Sequence, residues 1–449
     1  MGTEETADLL HGKHFFKRYL LIVSFILAAL TGSANGGSSL QSKAAYEPAA
    51  STVAAGESLS TNDRLEVFEE VWETIDEKYH DPAFNGVNWK AVRDRYLPVA
   101  MAAKSEDEYY TVLKKMVGEL HDAHTRFHTP RERRDREQAT LVSTGVQVYE
   151  VEGRVVVTGV EQGSQAAQAG VEAGMIVRTI DGRPVSERLA EAQARVAGSS
   201  SDRANRLRLY RQLMEGEPGT SVTLGLERAD GSTFNVEVMR RIVADLPTVT
   251  SRLLQSGYGY LKLNLWKSPA HKEFKRALEK FKDVPGLIVD LRGNPGGEAG
   301  VVVKIASYFF SNRVSFGQFI SRTGKPINLF TDRDDLIYQG PLIVLVNESS
   351  GSGSELFTGV MQESGRAIVI GRQSCGCVLG ISRFKKVKGG GELAVSELKY
   401  VSPRGQKLEG TGVIPDKMVA LTISDLQRHH DAALTEAESL LRSPKTTMK

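Results

Sequence analysis

The stretch NESSGSGSELFTGVMQ (Asn347 to Gln362) follows the apolar run PLIVLV (Pro341 to Val346). A buried strand would stop there, serines and glycines would form a turn, and a helix would begin. A serine at the tip of such a turn is exposed and sits beside outward-pointing amides that can hold an oxyanion. Gly351 and Gly353 would let a substrate backbone approach closely. The same residues support a plainer reading. Ser352 and Glu355 form a Ser-x-x-Glu capping box, which satisfies the free amides of a helix end. Serine is a poor nucleophile unless a neighbouring base takes its proton, so the choice between nucleophile and cap turns on finding that base.

A second glycine turn, DLRGNPGG (Asp290 to Gly297), has the same strand-turn-helix setting. It lacks the Gly-x-Gly-x-x-Gly spacing and the Gly-Lys-Ser/Thr ending of a phosphate loop. Two such turns at the ends of neighbouring parallel strands place a site at the carboxyl edge of a sheet. One could supply the nucleophile and the other an oxyanion amide. The histidines of HDAHTRFH (His121, His124, His128), taken alone, read as structural or surface residues.

The elements that must carry these residues fall into three regions. RLEVFEEVWETIDEKYH spaces Leu65, Phe68, Val71, Trp72 and Ile75 at helical intervals. A second helix is expected over Trp89 to Val99 and a third after Ser105, with Glu108 completing a capping box. Residues 62–140 thus form a helical region. Residues 141–241 alternate apolar and polar positions, with turns at Glu152-Gly153, Asp181-Gly182 and Asp230-Gly231 and a charged helical insert over 186–215. Residues 242–425 alternate strands and helices, the pattern of an α/β core with a mostly parallel sheet. Residues 426–449 are expected to form a C-terminal helix and tail.

The chain of 449 residues is long enough for two or three cores, and its formal charge of +2 shows no basic stripe, which argues against nucleic acid as a partner. Lys13, Lys17 and Arg18 precede YLLIVSFILAAL and then Gly32-Ser33-Ala34. This fits a secretory signal over 1–34 cleaved after Ala34, followed by a linker over 35–61; an uncleaved segment with transient membrane association is the competing reading. Either way the rest is expected to be soluble and extracytoplasmic, in a periplasm or secreted. The two cysteines, Cys375 and Cys377, can form one bridge or remain thiols; they do not complete a tetrahedral metal site. No metal or organic cofactor is expected.

With these residues in view, the chain resembles the C-terminal processing (tail-specific) peptidases and their tricorn-like relatives over residues 62–423. EKYHDPAFNGVNW, LHDAHT, DLRGNPGG, SSGSGSE and YVSPRGQKLEGTGVIPD carry the resemblance, and GSQAAQAGVEAGMIVRTIDGRPV is similar to the family's PDZ module. The resemblance implies a serine endopeptidase acting on proteins or peptides, with an α/β core, a PDZ-like β-rich module and an N-terminal helical region. It implies Ser352 as nucleophile and Gly353 with Gly296 or Gly297 as oxyanion amides. Gly145 and Val146 would hold a peptide's C-terminal carboxylate. The processing peptidases carry a lysine base 25 residues after the serine. Here Cys377 stands at that position, and Ile381 where a glutamine is usual. The tricorn-like pattern implies His124 as base and Glu409 as its support. It also has a serine directly before the histidine, where this chain has Ala123; Asp122 or Glu409 could then contact His124 directly. Lys385, Lys386, Lys399 and Lys407 remain alternative bases, and an inactive scaffold that binds polypeptide C-termini is the alternative from another class.

Overall fold

The computed structural model describes residues 59–443 except 138–140, 197, 244–246 and 334. The signal-like segment and most of the linker lie outside the described residues.

Helices Thr61–Lys78, Trp89–Met101 and Glu106–Gly118 form the first layer. The Ser105 hydroxyl accepts the Glu108 amide at 3.1 Å, but the Glu108 carboxylate takes the amide of Lys104 rather than that of Ser105, so the expected capping box is only half formed. Val67, Phe68, Val71 and Ile75 pack with Tyr109, Leu113 and Met116, and their core is completed by Phe127, Leu393 and Val395. The helical region therefore shares a core with a strand more than 250 residues later. The link is a short strand, Arg126–His128, which pairs antiparallel with Glu392–Val401 in the register Arg126↔Ala394. Glu392–Val401 also pairs with Gly380–Lys386 and with Ser315–Ser321, which pairs in turn with Pro326–Phe330. Sequence patterning pointed to none of this five-stranded antiparallel sheet, because its pairings are interrupted by register shifts and join strands far apart in the chain.

The β-rich module runs from Val146–Val151 to Thr233–Met239 as a meander in a single sheet. Its turns fall where expected: Glu152 and Gly153 have φ of 52° and 73°, Asp181 and Gly182 of 53° and 75°. These positive values are what two-residue hairpin loops require. The charged insert folds as two helices, Val185–Arg195 and Asp202–Met214.

The largest core belongs to a six-stranded sheet. Gly259–Leu263, Leu287–Asp290, Leu342–Val346, Ile368–Gly371 and Lys417–Met418 run parallel, and Val249–Leu253 joins antiparallel at one edge. Leu342–Val346 is buried throughout, which explains its unbroken apolar sequence. One face is covered by Ala270–Glu279, Ala299–Ala306 and Gly353–Glu363, the other by Ala432–Arg442. The turns after Asp290 and Val346 leave neighbouring strands at the same carboxyl edge.

Candidate active site

The four serines of the turn after Leu342–Val346 differ in what they touch. Ser350 is fully buried, and its hydroxyl donates to the Leu291 carbonyl at 2.9 Å and accepts the Asn347 amide at 3.0 Å. Ser354 is also fully buried; it donates to the Asn294 carbonyl at 3.0 Å and accepts the Trp266 indole N–H at 2.9 Å. The amide of Ser349 caps onto the Asn347 side chain. Ser352 alone combines partial exposure with a strained backbone, φ 48° and ψ −113°. Helix caps adopt extended backbone angles; these angles favour glycine. A non-glycine residue held there costs on the order of 1–3 kcal/mol and persists where its surroundings impose it. Such a sharp strand-to-helix turn lifts the serine hydroxyl clear of the sheet.

The carboxylate of Glu355 imposes that turn. It is fully buried and receives four donors: the Ser374 hydroxyl at 2.6 Å, the Gly376 amide at 2.7 Å, the Cys377 amide at 2.8 Å and the Ser352 amide at 3.0 Å. Burial pushes its pKa up, against those donors. The Ser-x-x-Glu spacing therefore does more than cap a helix: it ties the serine turn to the SCGC loop. Cys375 and Cys377 are joined as a disulfide. The position matching the family's lysine is thus a half-cystine, buried against Ala204 and Ala123.

The glycines of DLRGNPGG close on the serine. A Cβ at Gly296 would stand 2.6 Å from the Ser352 Cβ and 2.9 Å from the Gly353 nitrogen. A Cβ at Gly353 would stand 3.4 Å from the Gly297 nitrogen. Gly353 opens its helix, so its amide has no preceding turn to bond. The Gly296 amide is already given to the Asn294 side chain at 2.9 Å. Of the two expected alternatives, Gly297 is the one placed beside Gly353 without that commitment.

His124 lies in the loop between Glu106–Gly118 and the strand Arg126–His128. Asp122, buried, fixes the loop: its Oδ1 accepts the His124 amide at 2.7 Å, the Thr125 amide at 2.6 Å and the Ser396 hydroxyl at 2.9 Å. Burial pushes Asp122 upward, but the Arg126 charge and these donors outweigh it and hold its pKa below the usual value. Burial lowers the His124 pKa to about 4, with Asp122 acting the other way, so the imidazole is neutral at physiological pH. Glu409 accepts the amides of Val378 at 2.7 Å and Leu379 at 3.1 Å, directly after Cys377. Its pKa is pushed up to about 7 by burial, with the Ser200 hydroxyl and the Val378 amide acting against that.

The structure thus gathers the loops of Ser352, His124 and Glu409 around one centre, the SCGC loop. It does not close them into a hydrogen-bonded triad. Among the described residues, no hydrogen bond joins the His124 ring to Ser352, Asp122 or Glu409, and His124 Nδ1, Asp122 Oδ2 and Glu409 Oε1 are buried without partners. The lysines lie elsewhere. Lys385 bonds Thr74 at 2.8 Å and pairs with Glu70, Lys386 pairs with Glu137, and Lys399 and Lys407 are exposed. None is buried, as a lysine with a strongly depressed pKa must be.

In the β-rich module the expected carboxylate loop is already satisfied internally. The Gly145 amide donates to the Ser143 hydroxyl at 2.9 Å and the Val146 amide to Thr144 Oγ1 at 3.3 Å. Helix Asp202–Met214 lies along the edge strand Val146–Val151, with Tyr210 against Tyr149 and bonded to Glu150 at 2.8 Å. Among the described residues, no cluster of His, Cys, Asp and Glu could hold a metal, and no helix is long and apolar enough to cross a membrane.

Residues 257–419 match peptidase family S41 and residues 60–118 match the tricorn protease C1 domain. The chain thus carries a peptidase family S41 domain preceded by a tricorn protease C1 domain. It is a serine-type peptidase. The chain is 28% identical over 368 residues to carboxyl-terminal-processing peptidase 3, chloroplastic, of Arabidopsis thaliana, covering 77% of this chain and 67% of that one. It is 28% identical over 381 residues to a carboxyl-terminal-processing protease of Picosynechococcus sp., covering 80% and 84%. The solved photosystem II D1 C-terminal processing protease superposes with a TM-score of 0.59 at 25% identity, over 86% of this chain and 98% of that one. Mature CPAF shares the fold alone, with a TM-score of 0.68 at 15% identity over 87% and 99%.

One residue that contacts the His124 loop was not marked by its sequence. Ser200, in the run GSSSDR, places its hydroxyl on the amide of Ala123 at 2.7 Å. Three serines before a helix signal only a cap, and Ser201 is that cap.

Proposed function

We propose that the chain is an exported endopeptidase working through Ser352, His124 and Glu409. Ser352 Oγ attacks the scissile carbonyl while the His124 imidazole takes its proton. The amides of Gly353 and Gly297 hold the oxyanion. The imidazolium returns the proton to the leaving amine, and water then hydrolyses the acyl-enzyme by the same route. Glu409, once ionised, stabilises the imidazolium.

The observation that carries this reading is the contrast among the serines: Ser350 and Ser354 are buried and bonded, while Ser352 is partly exposed on a strained turn beside two glycine amides. The disulfide at the lysine position and the exposed or paired state of the other lysines favour histidine over a displaced lysine as base. A fluorophosphonate probe tests it: wild-type protein is labelled, Ser352→Ala is not, and His124→Ala is labelled far more slowly. Unlabelled wild-type protein that still binds C-terminal peptides would favour the scaffold instead.

The β-rich module is read as PDZ-like, taking a substrate's C-terminal stretch as an added strand beside Val146–Val151. The internal bonding of Gly145 and Val146 means that capture there requires Ser143 and Thr144 to give up those amides. Export rests on the basic flank, apolar run and Gly32-Ser33-Ala34 of the N-terminal segment.

A further inference from the structure

The module's helical insert does not stay within the module. Its residues 198–208 reach the loops of His124 and Glu409 and the SCGC loop between them. The Ser201 hydroxyl donates to the Cys375 carbonyl at 2.5 Å. Arg203 donates to the Ser374 carbonyl at 2.6 Å and also bonds the carbonyls of Gly410 and Thr411. Arg208 donates to the Ala123 carbonyl at 2.9 Å. Ala204 packs on the Cys375–Cys377 bridge. At the centre of this contact the Ser200 hydroxyl accepts the Ala123 amide at 2.7 Å, and the Ser200 carbonyl lies 3.2 Å from where a Cβ on Gly410 would be. Ser200 is therefore wedged between the residue before His124 and the residue after Glu409.

A hydroxyl has one hydrogen to give and two lone pairs. One lone pair of Ser200 takes the Ala123 amide and the hydroxyl hydrogen is uncommitted, while Glu409 Oε1, one residue before the Gly410 that Ser200 packs on, is buried without a partner among the described residues. One lone pair remains, next to a loop whose His124 Nδ1 has no partner among the described residues. We propose that Ser200 is a positioning residue for the reaction: its hydroxyl, supplied by the module's insert, holds Glu409 against the loop that presents His124. The assignment rests on the Ser352–His124–Glu409 reading given above. It also makes the site incomplete without the module, since residue 123, next to the histidine, carries no hydroxyl of its own.

The charged and titratable groups around Glu409 are Asp122 and Glu355, which raise its pKa, and Arg126 and Tyr79, which feel its charge. Ser200 favours the ionised carboxylate. Losing it therefore moves the acid limb of activity to higher pH, a change that mere loosening of a loop would not produce.

The test measures kcat, KM, the pH profile and the melting temperature of the full chain on one fluorogenic peptide. Ser200→Ala should lower kcat by roughly 10- to 100-fold, the scale of a lost hydrogen bond to a charged group, with KM little changed and the acid limb raised. Adding Ala123→Ser to Ser200→Ala should recover much of the rate and return the limb, because a hydroxyl is restored on the adjoining residue. A Ser200→Ala enzyme with wild-type kcat and pH profile overturns the proposal. So does a variant that loses rate and melting temperature together and is not rescued by Ala123→Ser. His124→Ala and Glu409→Gln run in parallel. If both are inactive while Ser200→Ala is silent, only Ser200 is misassigned; if either retains full activity, the underlying reading fails with it.

Discussion

The amide of Ser352 donates to the carbonyl of Cys377 at 2.9 Å. The residue at the family's lysine position thus meets the nucleophile through its main chain, and its sulfur is turned into a bridge with Cys375. What Cys377 offers Ser352 survives any side chain that leaves the loop in place.

Cys377→Ala should accordingly leave kcat within about tenfold. The bridge spans a very short loop and should contribute only about 1–2 kcal/mol of chain-entropy stabilisation. His124→Ala should instead lower turnover by several orders of magnitude, on the scale of removing a triad member. Measuring both on one peptide separates the bases. An active His124→Ala enzyme would return attention to the lysines.

The serines should separate by what is lost. Ser352→Ala abolishes turnover and leaves the fold intact. Ser352→Gly is equally inactive but at least as stable as Ser352→Ala, because glycine accepts φ 48° without strain. Ser350→Ala and Ser354→Ala each orphan buried partners and should cost about 1–3 kcal/mol of stability. Melting curves alongside rates decide; a Ser352→Gly protein much less stable than Ser352→Ala would contradict the strain.

The pH profile follows Glu409 more than His124. Burial keeps His124 neutral above about pH 4, so it is ready to accept a proton throughout the neutral range. Glu409, pushed up to about 7, gains the charge that stabilises the imidazolium only as pH rises through that value. Thus kcat/KM should rise through about pH 7. Glu409→Gln should remove that limb and lower the plateau by roughly 100-fold or more. A wild-type limb near pH 4 would show that Glu409 is not needed in charged form.

Removing residues 141–241 should abolish cleavage of short peptides as well as tailed proteins, because Ser200, Ser201, Arg203 and Arg208 leave with the module. Capture is better read from the substrate. A free C-terminus should give a lower KM than its amide, with kcat unchanged. Identical KM values would argue against carboxylate recognition.

Exported protein should begin near Asn35. Mass analysis showing an intact Met1 on secreted material would remove the signal reading.

The sequence by itself determined the elements whose pattern is local. Leu342–Val346 announces a buried parallel strand by unbroken apolar residues, and Glu152-Gly153 announces a hairpin by its turn chemistry. Gly365 ends the helix begun at Gly353. The motifs also determined the family and the candidates Ser352, His124 and Glu409. Only the tertiary structure decided how they meet. Ser350, Ser352 and Ser354 are alike in type, and burial, bonding and backbone strain set Ser352 apart from the other two. Gly296 and Gly297 are equal in sequence, until Asn294 takes the amide of one. The capping pair Ser352–Glu355 hides a carboxylate whose other donors lie 19 to 22 residues on. Ser200 lies 77 residues from Ala123 and is joined to it by a single hydrogen bond. Contacts at such separations leave no periodicity in a chain, because they arise from how finished elements pack and not from the backbone conformation of any one of them.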